Sequence, residues 1–278
     1  MKAPLFKSLL SAKNMAQAWK RLKSDKAIWQ PGVSHQNFEQ NQLYYLLQLR
    51  DDLENEKYRP ELLRRFTISK ANGKERLLSA LTLRDKFAQR LVLQTIEPSY
   101  EAIFHPASFG YRPGRNRFQA IDVAKSYLKS GLYWVVDADI KQFFDSIPHT
   151  QLRKLLQKKF KKEKQIWALN KQWLDIGAMP SLPFRKKTGI PQGGVLSPLW
   201  CNLYLHQLDQ YFYSHNIAFV RFADDFLLFA NTKKQAEKLL QRTEKQLQQL
   251  GLQLNKEKTN IRDASKKPIH FLGLNIKA

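Results

Sequence analysis

Cysteine occurs once in 278 residues, at Cys201, so neither an internal disulfide nor a cysteine-based zinc site can be built. A lone thiol suits a reducing cytosol, and Cys201 is expected in the core. Also missing is any run near the roughly 18 consecutive apolar residues that a membrane-spanning helix needs. The N-terminus lacks an apolar stretch ahead of a small-residue cleavage site. The expectation is a cytoplasmic protein with no membrane partner. Internal repeats, low-complexity tracts and an evident interdomain linker are absent too. Acidic residues are scarce: 24 Asp and Glu stand against 47 Lys and Arg, a formal net charge of +23. Solubility alone does not ask for such an excess, which points to a polyanionic partner. The basic residues are spread along the chain, which fits a long groove better than one patch; a basic surface with no partner is the plain alternative. With 43% hydrophobic residues the chain has a real core and room for one large domain or two modest ones.

Against this background Val220-Arg221-Phe222-Ala223-Asp224-Asp225-Phe226-Leu227-Leu228-Phe229-Ala230 stands out, with two adjacent carboxylates between apolar runs. Burying bare charge is costly unless something neutralises it. The pattern reads as a β-hairpin with the carboxylates at its tip, although Asp-Asp lacks the Gly that tight turns prefer. Rigid oxygens that repel one another suit a hard divalent cation such as Mg²⁺. An Asp-Asp pair is more often a solvated turn, so the metal reading needs a third carboxylate. Leu132 to Ile140 supplies candidates: Leu132, Trp134, Val136, Ala138 and Ile140 alternate with Tyr133, Val135, Asp137 and Asp139, which puts two carboxylates on one strand face. Periodicity does not choose between Asp137 and Asp139.

Further elements surround these two. Short basic amphipathic helices run to a break at Gln30-Pro31-Gly32, and a helix follows from Asn37 to Leu53. Phe66 to Lys70 and Glu75 to Ser79 flank an Asn72-Gly73 turn, so Lys70 and Arg76 project from a two-stranded flap. The helix from Leu83 to Ile96 carries Arg84 on its polar side. In Phe109 to Arg117, glycines punctuate a basic loop whose Arg112 and Arg115 suit phosphate contact or base stacking, and Asn116 caps the next helix. Pro148 opens a helix with a stripe of Leu152, Leu155, Leu156 and Phe160, its other side lysine-rich from Lys154 to Lys164: a solvated face or a nucleic-acid contact. Thr188 to Pro198 is a loop where Gly193 and Gly194 let backbone approach a ligand, and Ser197-Pro198 reads as a cap and first turn for an apolar helix to Phe212. A helix ended by Gly251 and two short strands, Leu252 to Asn255 and Phe271 to Ile276, close the chain.

Strand, helix, carboxylate hairpin, helix, strand is the order of a split β-α-β sheet, which brings the two acidic elements together. Two Mg²⁺ ions there, with Mn²⁺ as a substitute, suit in-line displacement at a phosphate, while Lys70 and Arg76 neutralise a triphosphate. Nucleotide polymerisation is the natural use. In this order, Phe-Gly-Tyr-Arg-Pro-Gly-Arg, Ala-Asp-Ile-Lys-Gln-Phe-Phe-Asp, Ile-Pro-Gln-Gly-Gly-Val-Leu-Ser-Pro-Leu and Phe-Ala-Asp-Asp resemble the bacterial reverse transcriptases of the group II intron lineage.

That resemblance implies an α+β right-hand polymerase fold, with fingers over 37–100 and a ferredoxin-like palm over 101–278. A basic extension covers 1–36, and a basic helical finger insertion lies around 149–187. It implies an RNA-directed DNA polymerase that adds dNTPs to a DNA or RNA primer on an RNA template. Asp139, the carboxylate just before Ile-Lys, and Asp224 become metal ligands, with Asp225 beside them. Phe144 corresponds to the residue beneath the incoming sugar, its plain alternative being a core aromatic. Gln192 corresponds to a nucleotide-holding residue and Lys258 to the group proposed to protonate pyrophosphate. Arg84, Arg112, Arg115, Gly193 and Gly194 are the expected nucleic-acid contacts. Phe222 stands where the family often has Tyr, and Ser79-Ala80-Leu81 where Pro is common. The chain stops where relatives continue into a helical thumb, so the thumb is expected to be absent or supplied by a partner, which argues against intron splicing. Val-Asp-Ala-Asp-Ile with Phe-Phe-Asp-Ser-Ile-Pro-His leans toward relatives attached to CRISPR adaptation modules. The rivals are an idle nucleic-acid-binding subunit and a template-independent or DNA-templated nucleotidyltransferase of a defence system.

Overall fold

The computed structural model describes residues 4–69, 73, 75–178 and 187–277. In chain order the elements begin with α1 (Pro4–Leu9), α2 (Ala12–Leu22), α3 (His35–Gln40), α4 (Gln42–Glu54), β1 (Arg64–Ser69), β2 (Glu75–Ala80) and α5 (Leu83–Glu101). Next come α6 (Arg117–Lys129), β3 (Trp134–Asp139), α7 (Phe143–Ser146), α8 (His149–Lys159), α9 (Lys164–Gly177) and α10 (Ser197–Ser214). The chain closes with β4 (Ala218–Phe222), β5 (Asp225–Ala230), α11 (Lys233–Gln249), β6 (Asn260–Asp263), β7 (Ile269–Phe271) and β8 (Leu274–Ile276). No helix among the described residues is long and apolar enough to cross a membrane. Two compact units form, one from Met1–Tyr100 with His149–Pro198, the other from Glu101–Pro148 with Leu199–Ala278.

Among the described residues the regular elements of the first unit are helices and the β1–β2 hairpin. The helix expected from Asn37 to Leu53 is two helices. Asn41, at φ −121°, ends α3, and its side-chain amide donates back to Asn37, an alternative to continuing the helix. Trp29 stacks on Phe38 with ring centroids 4.7 Å apart, and the buried Tyr58 hydroxyl links Asp85, to which it donates at 2.5 Å, with Trp173, whose Nε1–H donates to it at 2.9 Å. Strands β1 and β2 pair from Arg64↔Ala80 to Ser69↔Glu75, where the flap was expected; of its turn, Gly73 is described, at φ +75°. The Ser79 N–H donates to Gln192 O at 2.8 Å. Gly193, at φ +113°, lies flush against the same strand, since a Cβ there would sit 2.5 Å from Ser79 O. In α8, Leu152 and Leu156 are buried and lysines point out. His149 at its start bonds Gly189 O through Nε2 at 2.6 Å.

The second unit is built on a four-stranded sheet of order β4-β5-β3-β6, all neighbours antiparallel. Strand β6 escapes sequence reading because Asn260-Ile261-Arg262-Asp263 has one apolar residue and no alternation. The strand expected over Phe271 to Ile276 is instead the β7–β8 hairpin, turning through Leu272 at φ +52° and Gly273 at φ +82°, two successive left-handed residues of the kind tight hairpins use. Val135, Val220, Leu227 and Phe229 form a core with Ala124 and Leu128 of α6. That helix starts with a capping box between Asn116 and Gln119, as its sequence suggests. On the alternate side of β4 and β5, Phe219 and Phe226 meet Phe212 of α10 at 5.1 and 6.0 Å. Cys201, in α10, is fully buried, and burial pushes its thiol well up.

Candidate active site

The register of β3 on β5 sets Asp139 directly opposite Asp225. Both belong to the sheet face of Val135 and Leu227, because side chains two apart share a face. Asp139 is buried at 8% exposure. Asn255 donates to its backbone carbonyl at 2.8 Å and through Nδ2 to Oδ1 at 3.3 Å, while Lys258 Nζ lies 2.5 Å from Oδ2. That contact with Asp139 holds the Lys258 ammonium above its ordinary value. Asp225 keeps a solvent-facing side, so partial desolvation and the charges of Asp224 and Asp139 act together, pushing its carboxyl up to about 7. Asp137, half-buried two residues back, pairs with Leu227 and Asn260 and meets no carboxylate directly across the strands. Burial raises its carboxyl too.

The hairpin turn is offset by one residue from its expected place: Phe222 pairs with Asp225, so Ala223 and Asp224 form the turn and Asp225 begins the strand. Ala223 adopts φ +57°, a left-handed conformation that costs a residue with a Cβ about 1 to 2 kcal/mol. Local preference does not select it; the surroundings do. Arg221 Nη1 donates to Ala223 O at 2.9 Å. Gly110 packs so closely beneath the turn that a Cβ on it would collide with Ala223 N. The stretch before Gly110 runs along β4, with Arg221 N donating to Ala107 O and Phe109 N to Arg221 O, each at 2.9 Å. Four more non-glycine residues of this unit are left-handed, Tyr111 at φ +61°, Gln142 at φ +45°, Asn216 at φ +52° and Leu272 at φ +52°. Such conformations cluster where function imposes geometry.

The other expected site residues fall into three groups. Phe144, in the short α7, is half-buried, edge-on to Tyr111 at 6.4 Å and to Phe143 at 6.0 Å. Lys70 lies outside the described residues, Arg76 is placed as a backbone position in β2, and Gln192 is half-buried with its carbonyl on Ser79. Four of the expected nucleic-acid contacts make close contacts within the protein. The Arg112 guanidinium, 6% exposed, is committed to Glu101 and to the carbonyls of His105 and Ser108. Arg84 is buried against Asp52, Arg59 O and the Tyr58 ring. Gly193 and Gly194 owe their missing side chains to protein packing, against Ser79 and against Ser197 and Pro191. Arg115 stays partly open while stacking on Phe109 at 5.2 Å. Ser197 does not cap α10; its hydroxyl donates to Pro191 O at 2.7 Å. Sequence reading missed Arg221, Asp209 and Asn202 as parts of the site, and the one available signal was a charged residue inside an apolar strand.

Among the described residues no set of three or more His, Cys, Asp or Glu side chains converges on one ion position as it stands, and Asp139 Oδ2 is in contact with Lys258 Nζ. The donor chemistry fits a hard divalent cation all the same: oxygen ligands only, on strand ends held in register, with mutual repulsion that a cation relieves.

Residues 68–276 match the reverse transcriptase (RNA-dependent DNA polymerase) family. The chain is 33% identical to protein YkfC of Escherichia coli, covering 89% of this chain and 76% of YkfC. It is 34% identical to the group II intron-encoded protein LtrA of Lactococcus lactis, over 74% of this chain and 35% of LtrA. Among solved structures, apo telomerase from Candida tropicalis truncated from its C-terminal domain shares the fold, with a TM-score of 0.59 at 15% identity, covering 85% of this chain and 58% of that one. The chain belongs to the reverse transcriptase family, RNA-directed DNA polymerases of right-hand fold, and its relatives include group II intron-encoded proteins. It spans about a third of LtrA's length.

Proposed function

We propose that this chain extends a primer 3′ end with dNTPs on an RNA template, with the unit of Glu101–Pro148 and Leu199–Ala278 as palm and the other as fingers. The observation that carries this reading is the Asp139↔Asp225 pairing, with Asp224 in the adjoining turn and Lys258 on Asp139. Asp139 and Asp224 hold the divalent cations, Mg²⁺ or Mn²⁺, and Asp225 adds charge beside them. When bound, two such ions activate the 3′-hydroxyl and stabilise the leaving pyrophosphate. The rigid register of β3 and β5 keeps the carboxylates in place, so little reorganisation accompanies reaction. Lys258 Nζ carries a proton held by its acidic neighbours and, with 63% of its side chain exposed, leaves Asp139 at little cost to protonate pyrophosphate. On family resemblance, Lys70, Arg76 and Gln192 bind the incoming dNTP, and the Phe144 ring excludes a 2′-hydroxyl.

The test is primer extension on RNA, on DNA and without template, with Mg²⁺, with Mn²⁺ and with chelator. Cation-dependent synthesis on RNA is the expected result. Equal synthesis without template would turn the reading to a terminal transferase, and no synthesis under any condition to a binding subunit.

A further inference from the structure

The buried Arg221 is a full charge with 0% side-chain exposure on the sheet face opposite Asp139 and Asp225, paired with Asp209 of α10, also at 0%. Its Nε and Nη2 meet the two Asp209 oxygens at 2.7 and 2.5 Å. Nη1 serves two acceptors, Asn202 Oδ1 at 3.1 Å and Ala223 O at 2.9 Å. Asn202 Nδ2 then donates to Gly110 O at 2.8 Å, and Gly110 is the residue pressed under the Ala223 N–H. The turn is thus held at its carbonyl and braced at its amide by groups that all trace back to one ion pair.

A buried ion pair is weak evidence for stability, since well-packed apolar residues often replace one without loss. What apolar residues cannot replace is the donor on Ala223 O. We propose that Arg221, oriented by Asp209 and Asn202, is a positioning residue. It holds Ala223 in the left-handed turn and so aims Asp224 and Asp225 at the side of the sheet where Asp139 lies. The proposal rests on the reading of Asp224 and Asp225 as cation-holding groups. It goes beyond that reading by assigning the geometry of the pair to a network on the opposite face.

The experiment replaces the pair together, Asp209→Leu with Arg221→Met, which removes the clamp without stranding a charge. In the metal-free chain, amide exchange over residues 222–225 is expected to speed up at least about tenfold while β3 and the body of β5 keep their protection. With RNA template and Mg²⁺, kcat is expected to fall between about tenfold and the hundredfold that a small misplacement costs, with a raised Mg²⁺ requirement and unchanged primer–template affinity. Adding Ala223→Gly, which enters the left-handed conformation without a Cβ penalty, restores part of kcat. Gly110→Ala reaches the same turn from below without touching the ion pair and is expected to give the same exchange and Mg²⁺ signature. Unchanged exchange at the turn, or a normal Mg²⁺ requirement in both variants, overturns the proposal. Asp224→Asn, run alongside, separates the two levels. If it stays active, the reading of the carboxylates fails; if it is dead while the Arg221 and Gly110 variants behave like wild type, only the positioning role fails.

Discussion

Replacing Asp139 by Asn keeps the side chain's shape and removes one charge from the strand end where Asp225 and Lys258 meet. Primer extension by Asp139→Asn is expected to fall at least about a hundredfold, roughly 2.7 kcal/mol of barrier, with nucleic-acid binding nearly intact. Asp137→Asn should stay within about threefold of wild type, because Asp137 faces Asn260 and Leu227 and its change costs about 0.7 kcal/mol or less. Equal damage in the two variants would show the ligand choice to be wrong. For Phe144→Ala, ribonucleotide incorporation relative to deoxynucleotide is expected to rise at least about tenfold, since a ring that rejects by clash discriminates more than a missing contact. Half-buried against Tyr111 and Phe143, Phe144 should lose less on truncation than the roughly 3 to 5 kcal/mol of a fully buried Phe. A large drop in Tm with unchanged sugar selectivity would make it a core aromatic. The carboxylates were legible because acids are rare in apolar runs and strand alternation is strict. The ion pairs of Arg84 and Arg112 were not, since an arginine that serves a polyanion and one that pairs with Asp52 or Glu101 look alike until their partners are placed.

Hairpins and helix starts carry the next set of expectations. The Gly193 junction holds β2 in the first unit through a conformation at φ +113° and a contact with Ser79 that leaves no room for a Cβ. Gly193→Ala is expected to cost about 1 to 3 kcal/mol of stability, read as a fall of several degrees in Tm; an unchanged Tm would refute the close approach. His149, buried at the start of α8, bonds Gly189 O through Nε2 while Nδ1 has no hydrogen-bond partner among the described residues. Burial holds its imidazole below the ordinary histidine range. The unfolded chain therefore binds a proton first as pH falls, so this contribution is whole at neutral pH and is lost below about 6.5. The Tm gap between wild type and His149→Gln, measured at pH 7.5 and 5.5, should shrink at the lower pH; a gap that widens would contradict the sign. Sequence anticipated elements with strong periodicity or caps, such as β3, α6 and the β1–β2 hairpin. It missed β6, whose pairing with β3 needs no apolar alternation, and the one-residue offset of the carboxylate turn, because Ala223 is met by Gly110 from a distant loop and by an Arg221 whose own partners, Asp209 and Asn202, lie on α10.

At the scale of the whole molecule the formal charge of +23 remains the dominant fact, even with Arg84, Arg112 and Arg221 neutralised inside. Exposed lysines on α8 and α11 leave ample charge for phosphate contact. Binding to an RNA/DNA hybrid is expected to weaken with a log–log salt slope above about 3 in magnitude, each neutralised phosphate adding close to one unit. A shallower slope would mean that the charge is not gathered where nucleic acid binds. The fold class was legible from the order of the pieces, whereas the division into two units built from alternating stretches came only from the family resemblance, with its finger insertion around 149–187, since no linker marks it. One feature of α10 reaches into practice. With Cys201 fully buried and its thiol pushed well up, the native chain offers maleimides and iodoacetamides almost no thiolate while folded. A cysteine placed on an exposed surface then becomes the sole fast-reacting handle, and wild-type protein serves directly as the cysteine-light parent for fluorophore or spin-label work.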